Sequence, residues 1–253
     1  MVIFTDLDGT LLDHETYSWA PAKPALEAIK SANIPLVLAS SKTAAEIAPI
    51  RADIGFEHCP AIVENGAGIL PASADRDNAP SDDYDKIRKA LSKVTADLRE
   101  HFRGFGDMSS EDVANVTGLK LADAHHAKQR AFSEPGLWSG DEAQRESFCM
   151  ALVDFGIRAR FGGRFLTLSL GGTKASRMAE VLQILGEQHA QTVALGDAPN
   201  DVEMLETADR AFIIANPHGT QIPRLKGEDD GTVTRTKAIG PAGWNEAVLS
   251  VLS

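Results

Sequence analysis

The string MVIFTDLDGTLLD, residues 1–13, decides the fold of this chain. Val2 to Phe4 is a short apolar run rich in β-branched residues, the composition of a strand buried on both faces of a parallel sheet. The run ends in two carboxylates, Asp6 and Asp8, with Leu7 between them. They reach one small site only if the chain leaves its extended path after Asp6, and Gly9 supplies that freedom. Two carboxylates at the end of a central strand concentrate negative charge. A divalent cation offsets it, and oxygen ligands of this kind suit Mg²⁺. Ordinary turn residues are the competing explanation, because Asp is common after strands. The downstream sequence separates the two.

Ala25, Leu26, Ala28 and Ile29 recur at helical spacing, with Pro24 suited to a first turn. Ile34 to Ala39 is a second apolar run. Strand, helix, strand opens a doubly wound α/β domain, whose ligands sit beyond the carboxyl ends of the strands. Ser40, Ser41, Lys42 and Thr43 fall at such an end. Their hydroxyls either cap the following helix or, with the backbone N–H groups at its start, form a phosphate seat, and Lys42 is either a substrate contact or a solvated side chain. Ala61 to Val63 is a short strand before Glu64-Asn65-Gly66-Ala67, which reads as a hairpin turn.

Residues 71–83 have linker composition. Beyond them, helices are expected over about 85–100, 119–130 and 142–155, with 132–135 as a break. Strands over 157–161 and 165–170 are joined by Gly162-Gly163. Lys174 opens a further helix. A cation in a first turn opposes the helix dipole, which favours a phosphate partner over a solvated side chain. Thr192 to Leu195 is the next buried strand. It ends in Gly196-Asp197-Ala198-Pro199-Asn200-Asp201, where Asp201 is suited to capping. After the strand at 211–214, Asn216 is a rim position or part of a plain turn, and a last helix lies near 244–252.

DLDGTLL, Ser40, Lys174 and GDAPND, in this order, resemble the four motifs of the haloacid dehalogenase superfamily, which consists mostly of phosphatases. GFGDM, SSEDVANVTGL, FSEP and GGRF resemble the mannosyl-3-phosphoglycerate phosphatase family within it. Thr173, where an Asp or another polar residue is expected before the Lys, departs slightly from that pattern. The resemblance implies a Rossmann-like, doubly wound parallel-sheet core with an inserted α/β cap domain. Core segments are expected at 1–82 and 171–253, and the cap at 83–170. It implies Asp6 as nucleophile and Asp8 as acid and base. The metal ligands are then Asp6, Asp8 through its backbone carbonyl, and Asp197, with Asp201 holding a metal water or Lys174. Ser40 and Lys174 then hold the phosphoryl group and Asn200 orients the phosphate pocket, while Glu64-Asn65-Gly66-Ala67, which resembles the ENGA segment of the branch with a large cap, brings Asn65 to the site mouth as a substrate contact. Arg164, and alongside it Arg130, would pair with the carboxylate of a phosphorylated glyceric-acid glycoside.

Composition sets the outer limits. The 253 residues carry a net charge of −11, which argues against nucleic acid as a partner and requires local positive charge at any anion site. No apolar run matches a membrane span, no secretory signal is visible, and two cysteines make no disulfide framework, so the cytoplasm is expected. Two other readings stay open. One is a phosphatase of another sugar phosphate on the same fold. The other is a non-enzymatic phosphoacceptor module, in which Asp8 would have no task.

Overall fold

The structure, a computed structural model, describes residues 1–74, 81–162 and 164–252. The middle of the expected linker (75–80) and Gly163 of the expected hairpin lie outside the described residues. The strands in chain order are β1 (Val2–Thr5), β2 (Leu36–Leu38), β3 (Ala61–Val63), β4 (Gly68–Leu70), β5 (Phe102–Gly104), β6 (Ser133–Trp138), β7 (Arg158–Gly162), β8 (Phe165–Ser169), β9 (Thr192–Gly196), β10 (Arg210–Ala215) and β11 (Val233–Ile239). The helices are α1 (Lys23–Ser31), α2 (Ala44–Asp53), α3 (Asp83–Leu91), α4 (Ala96–Arg99), α5 (Ser110–Thr117), α6 (Leu121–Ala127), α7 (Glu142–Val153), α8 (Lys174–Leu185), α9 (Val202–Thr207) and α10 (Gly240–Leu252). The chain forms two compact units. One comprises Met1–Ser41, Ile50–Ser73 and Thr173–Ser253, the other Lys42–Pro49 and Ala74–Gly172.

The first unit is built on a parallel sheet ordered β11-β10-β9-β1-β2. β1 lies between β2, which follows it, and β9, which comes from the far end of the chain. The winding direction reverses between β1 and β9, the point at which such sheets bind ligands. All four residues of β1 are buried, because helices cover both faces of the sheet. Val2 and Phe4 belong to a cluster with Met178 and Val181 of α8 and Met204 and Leu205 of α9. On the other face, the indole Nε1 of Trp244 in α10 donates to Thr5 Oγ1 at 2.9 Å. That hydroxyl donates in turn to the carbonyl of Asp6 at 2.8 Å. The polar alternating strand β11, absent from the sequence reading, is legible only as a sheet edge. Most of its side chains are exposed or half-buried.

The second unit carries an antiparallel sheet ordered β5-β6-β8-β7, of which the sequence showed only β7 and β8. The break expected at 132–135 is instead the start of β6. Pro135 pairs with Thr167 of β8 but lies beyond the end of β5, so its missing N–H breaks no ladder on that side. Glu134 is fully buried there because Arg88 Nη1 and the Gly106 N–H donate to its Oε1 at 2.8 and 2.9 Å. Arg88 and Arg99 both pair with Asp107, which ties the GFGDM string to α3. The helix expected over 85–100 is two, α3 and α4. Between them Ser92 turns its hydroxyl onto the Lys89 carbonyl and Thr95 takes extended backbone. The helix expected over 119–130 is confined to α6.

Trp244 is wholly buried against the strand that carries Asp6. Trp244→Ala is expected to lower unfolding free energy by about 3–5 kcal/mol, measured by urea denaturation.

Candidate active site

Four parallel strands deliver their ends to one edge of the first sheet: Asp6 after β1, Ser40 beyond β2, Asp197 after β9 and Asn216 after β10. Gly9 has φ +82°, so the chain turns where the sequence required it. Lys174, at the first position of α8, reaches this edge and is 1% exposed. Its Nζ donates to Asp6 Oδ1 at 2.5 Å and to Asp201 Oδ1 at 2.6 Å. Thr173 caps α8: its side chain accepts from the Ser176 N–H at 3.0 Å. The residue that departs from the expected pattern therefore starts the helix that aims Lys174.

Asp201 is engaged on every side. Its Oδ2 accepts the N–H groups of Asp197 and Ala198, both at 3.1 Å, while Oδ1 takes Lys174. Asp197 is held from two directions, by the Thr10 hydroxyl at 2.5 Å and the Asn216 amide at 2.7 Å. Oxygens of Asp6, Asp197 and Asp201 all lie within 4.8 Å of one another. The sequence grouped Asp6, Asp8 and Asp197 as metal ligands and put Asp201 behind them. In the structure Asp201 is part of the acidic group, but its bonds to Lys174 and two backbone N–H groups make it an orienting residue for the ammonium. Asp8 is half-buried, at a bridge to Leu12. The donors offered are all oxygen, and carboxylates outnumber the single ammonium. Such a set fits a hard divalent cation such as Mg²⁺.

Ser40 is fully buried; its N–H donates to the Ile62 carbonyl at 3.0 Å. Asn200 Nδ2 donates to Asn65 Oδ1 at 3.1 Å, so two of the expected substrate-binding residues pair with each other. In the second unit, Lys42 lies 3.9 Å from Glu46, and Thr43 caps α2 by accepting the Glu46 N–H. Arg164 donates to the Thr117 carbonyl at 3.0 Å and stacks over Phe165, while Arg130 donates to Ser133 Oγ at 2.7 Å. Thr10 was missed by the sequence reading, and Asn216 was left between rim and turn. The signal for both was position: Thr10 lies within the first motif, and Asn216 directly follows β10, the strand beside β9.

A family model described as haloacid dehalogenase-like hydrolase matches residues 3–130 and 161–222. The chain belongs to the haloacid dehalogenase-like hydrolases. It is 34% identical, over 100% of its length and 97% of the relative, to a glucosyl-3-phosphoglycerate/mannosyl-3-phosphoglycerate phosphatase of Persephonella marina. A relative of the same name in Methanococcoides burtonii is 31% identical over 99% of this chain and 97% of its own. Solved structures confirm the fold. A phosphatase of this superfamily from Bacteroides thetaiotaomicron superposes with TM-score 0.68 at 19% identity, covering 99% of this chain and 94% of its own. The sucrose-phosphatase of Synechocystis, in complex with sucrose and phosphate, gives 0.63 at 15% identity, covering 99% and 97%.

Burial lifts the carboxyl of Asp6 well above the ordinary aspartate range, with Lys174 pulling it back only in part. Burial also raises Asp197, against the hydrogen bonds from Asn216 and Thr10. Such a carboxyl keeps its proton in the folded state after the unfolded chain has lost it. Stability from these groups therefore falls as pH rises from the unfolded value of about 4 through the folded value. A bound cation must displace those protons. Mg²⁺ is thus expected to raise the melting temperature more at about pH 8 than at about pH 5. Thermal unfolding in EDTA and in Mg²⁺ checks this, and Asp197→Asn should lose most of the increment.

Proposed function

We propose that the protein is a Mg²⁺-dependent phosphatase that hydrolyses the phosphate monoester of mannosyl-3-phosphoglycerate or glucosyl-3-phosphoglycerate. The observation that carries this reading is the pairing of Lys174 with Asp6 at 2.5 Å in a chain whose full-length relatives bear that name. Phosphate esters resist attack because the nucleophile meets a shell of negative oxygens. Bound Mg²⁺, held by Asp6, Asp197 and the Asp8 carbonyl, would neutralise part of that charge.

The remaining steps belong to the chain's own residues. The Lys174 ammonium, oriented by Asp201, lowers the cost of ionising Asp6 and faces the transferred phosphoryl group beside the Ser40 hydroxyl. Asp6 attacks phosphorus in line, the ester P–O bond breaks, and an aspartyl-phosphate forms. Asp8, in its acid form, gives its proton to the departing oxygen. As a carboxylate it then takes a proton from water, whose oxygen attacks the phosphorus of the acyl phosphate. Phosphate leaves, and Asp6 is again a carboxylate with Asp8 protonated.

Arg164 and Arg130 are the residues we assign to the substrate carboxylate. The free cysteines, Cys59 buried and Cys149 half-buried, fit a reducing cytoplasm. Among the described residues no helix is long and apolar enough to cross a membrane.

Phosphate release with Mg²⁺ from the two glycosyl-phosphoglycerates, compared with hexose phosphates and sucrose phosphate, tests the substrate. Faster release from a hexose phosphate would transfer the assignment to another sugar phosphate. Asp6→Asn is expected to abolish release, and Asp8→Asn to lower kcat by about 10²–10⁴-fold. A lasting aspartyl-phosphate in the unaltered protein, without turnover, would mark a phosphoacceptor instead.

A further inference from the structure

One short turn of the first unit touches three of the motif segments. Glu64, Asn65 and Gly66 have positive φ in succession, 53°, 59° and 90°. L-residues avoid this region, Asn less than most, and two adjacent non-glycine residues persist there only when their surroundings hold them. Four contacts do so. The Asn65 N–H donates to the Ser40 carbonyl at 2.9 Å. Gly66 presses on the start of α8: a Cβ added to it would lie 2.1 Å from the Thr173 carbonyl carbon and 2.5 Å from the Lys174 nitrogen. Asn65 Oδ1 accepts the Asn200 amide at 3.1 Å. Arg177, one turn after Lys174, donates Nε to the Gly66 carbonyl and Nη2 to the Ala67 carbonyl, both at 3.0 Å. Its remaining Nη1 pairs with Glu180 at 2.6 Å, so the planar fork is fixed from both sides.

We infer that this left-handed turn, locked by Arg177, positions the phosphate end of the site. Asn65 acts through Asn200, and Arg177 acts through the turn. Neither is a catalytic residue: Asn65 spends its carbonyl oxygen on Asn200, and Arg177 spends its fork on main-chain carbonyls. The β3–β4 ladder itself runs from Ala61↔Leu70 to Val63↔Gly68, and the Arg177 fork adds a tie from α8 to the turn that joins them. The inference rests on the phosphatase reading and adds to it the residues that fix Ser40, Lys174 and Asn200 relative to one another.

Asn65→Gly separates the two roles of that position, since glycine tolerates the positive φ and removes only the amide. The experiment measures kcat and KM for p-nitrophenyl phosphate with Mg²⁺, the affinity for inorganic phosphate by calorimetry, and the melting temperature. The variants are Asn65→Gly, Asn200→Ala, Arg177→Met, Arg177→Lys, and Asn65→Gly combined with Asn200→Ala. For Asn65→Gly, phosphate affinity and kcat/KM are each expected to fall up to about tenfold, with little change in melting temperature. The double variant should be no worse than Asn200→Ala alone. Arg177→Met should weaken phosphate binding similarly, and Arg177→Lys should not restore it, because an ammonium cannot grip two carbonyls as a fork. Losses that multiply in the double variant would overturn the inference. So would unchanged phosphate binding in Asn65→Gly, or an Arg177→Met that changes only the melting temperature. If the unaltered protein neither binds phosphate nor hydrolyses the ester, the phosphatase reading fails and the inference falls with it.

Discussion

The ammonium of Lys174, shared between Asp6 and Asp201, is the interaction on which the rest of the site depends. It is buried, and so are the two carboxylates it joins. A buried charge is tolerated only when paired and hydrogen-bonded, and an acidic cluster of this density without a cation would drive its members to neutrality. The position is locally unfavourable, because a cation in the first turn opposes the dipole of α8. Two facing carboxylates outweigh that opposition: they raise the Lys174 pKa although burial alone would lower it. The sheet makes this possible. Parallel strands end on the same edge, so residues far apart in sequence arrive side by side without a special loop for each.

The carboxylates are fixed without any ligand. Asp197 is gripped by Thr10 and Asn216, and Asp201 by two backbone N–H groups and Lys174. Support continues beneath them, where Trp244 reaches Thr5 and Thr5 reaches the Asp6 carbonyl. A site held in this way loses little freedom when its ligand arrives. Charge is placed in advance where a phosphoryl group and its cation would need it. The contribution of the scaffold is therefore electrostatic order as much as shape.

Asp6, Asp197, Lys174 and Ser40 were legible in the sequence because each sits at the end of a strand or the start of a helix, where local pattern marks the place. Thr10 and Asn216 were harder: their meaning lies in a partner, Asp197, that is remote in sequence. Asn65 and Asn200 were both assigned to substrate, and the sequence could not show that each answers the other. In the inserted unit, β6 was hidden because Phe132-Ser133-Glu134-Pro135 read as a break after a helix. What makes them a strand is Arg88, brought from another element to neutralise Glu134, and a neighbour that stops short of Pro135. β11 carries too few buried side chains to announce itself, and only its pairing with β10 defines it.

The register of β1 also governs how the molecule comes into being. Val2 pairs with Thr192, and Thr5 leans on Trp244, so β1 waits for partners that lie far downstream of it in the chain. Until then β1 presents an apolar, unpaired flank, the kind of edge that recruits other chains. The loop that carries Asp6 and Asp8 takes its final shape only once those partners are made, and contacts of such long range make for slow assembly. A chain whose Asp6 strand is made long before β9 and α10 is thus exposed to misassociation in the interval that separates them.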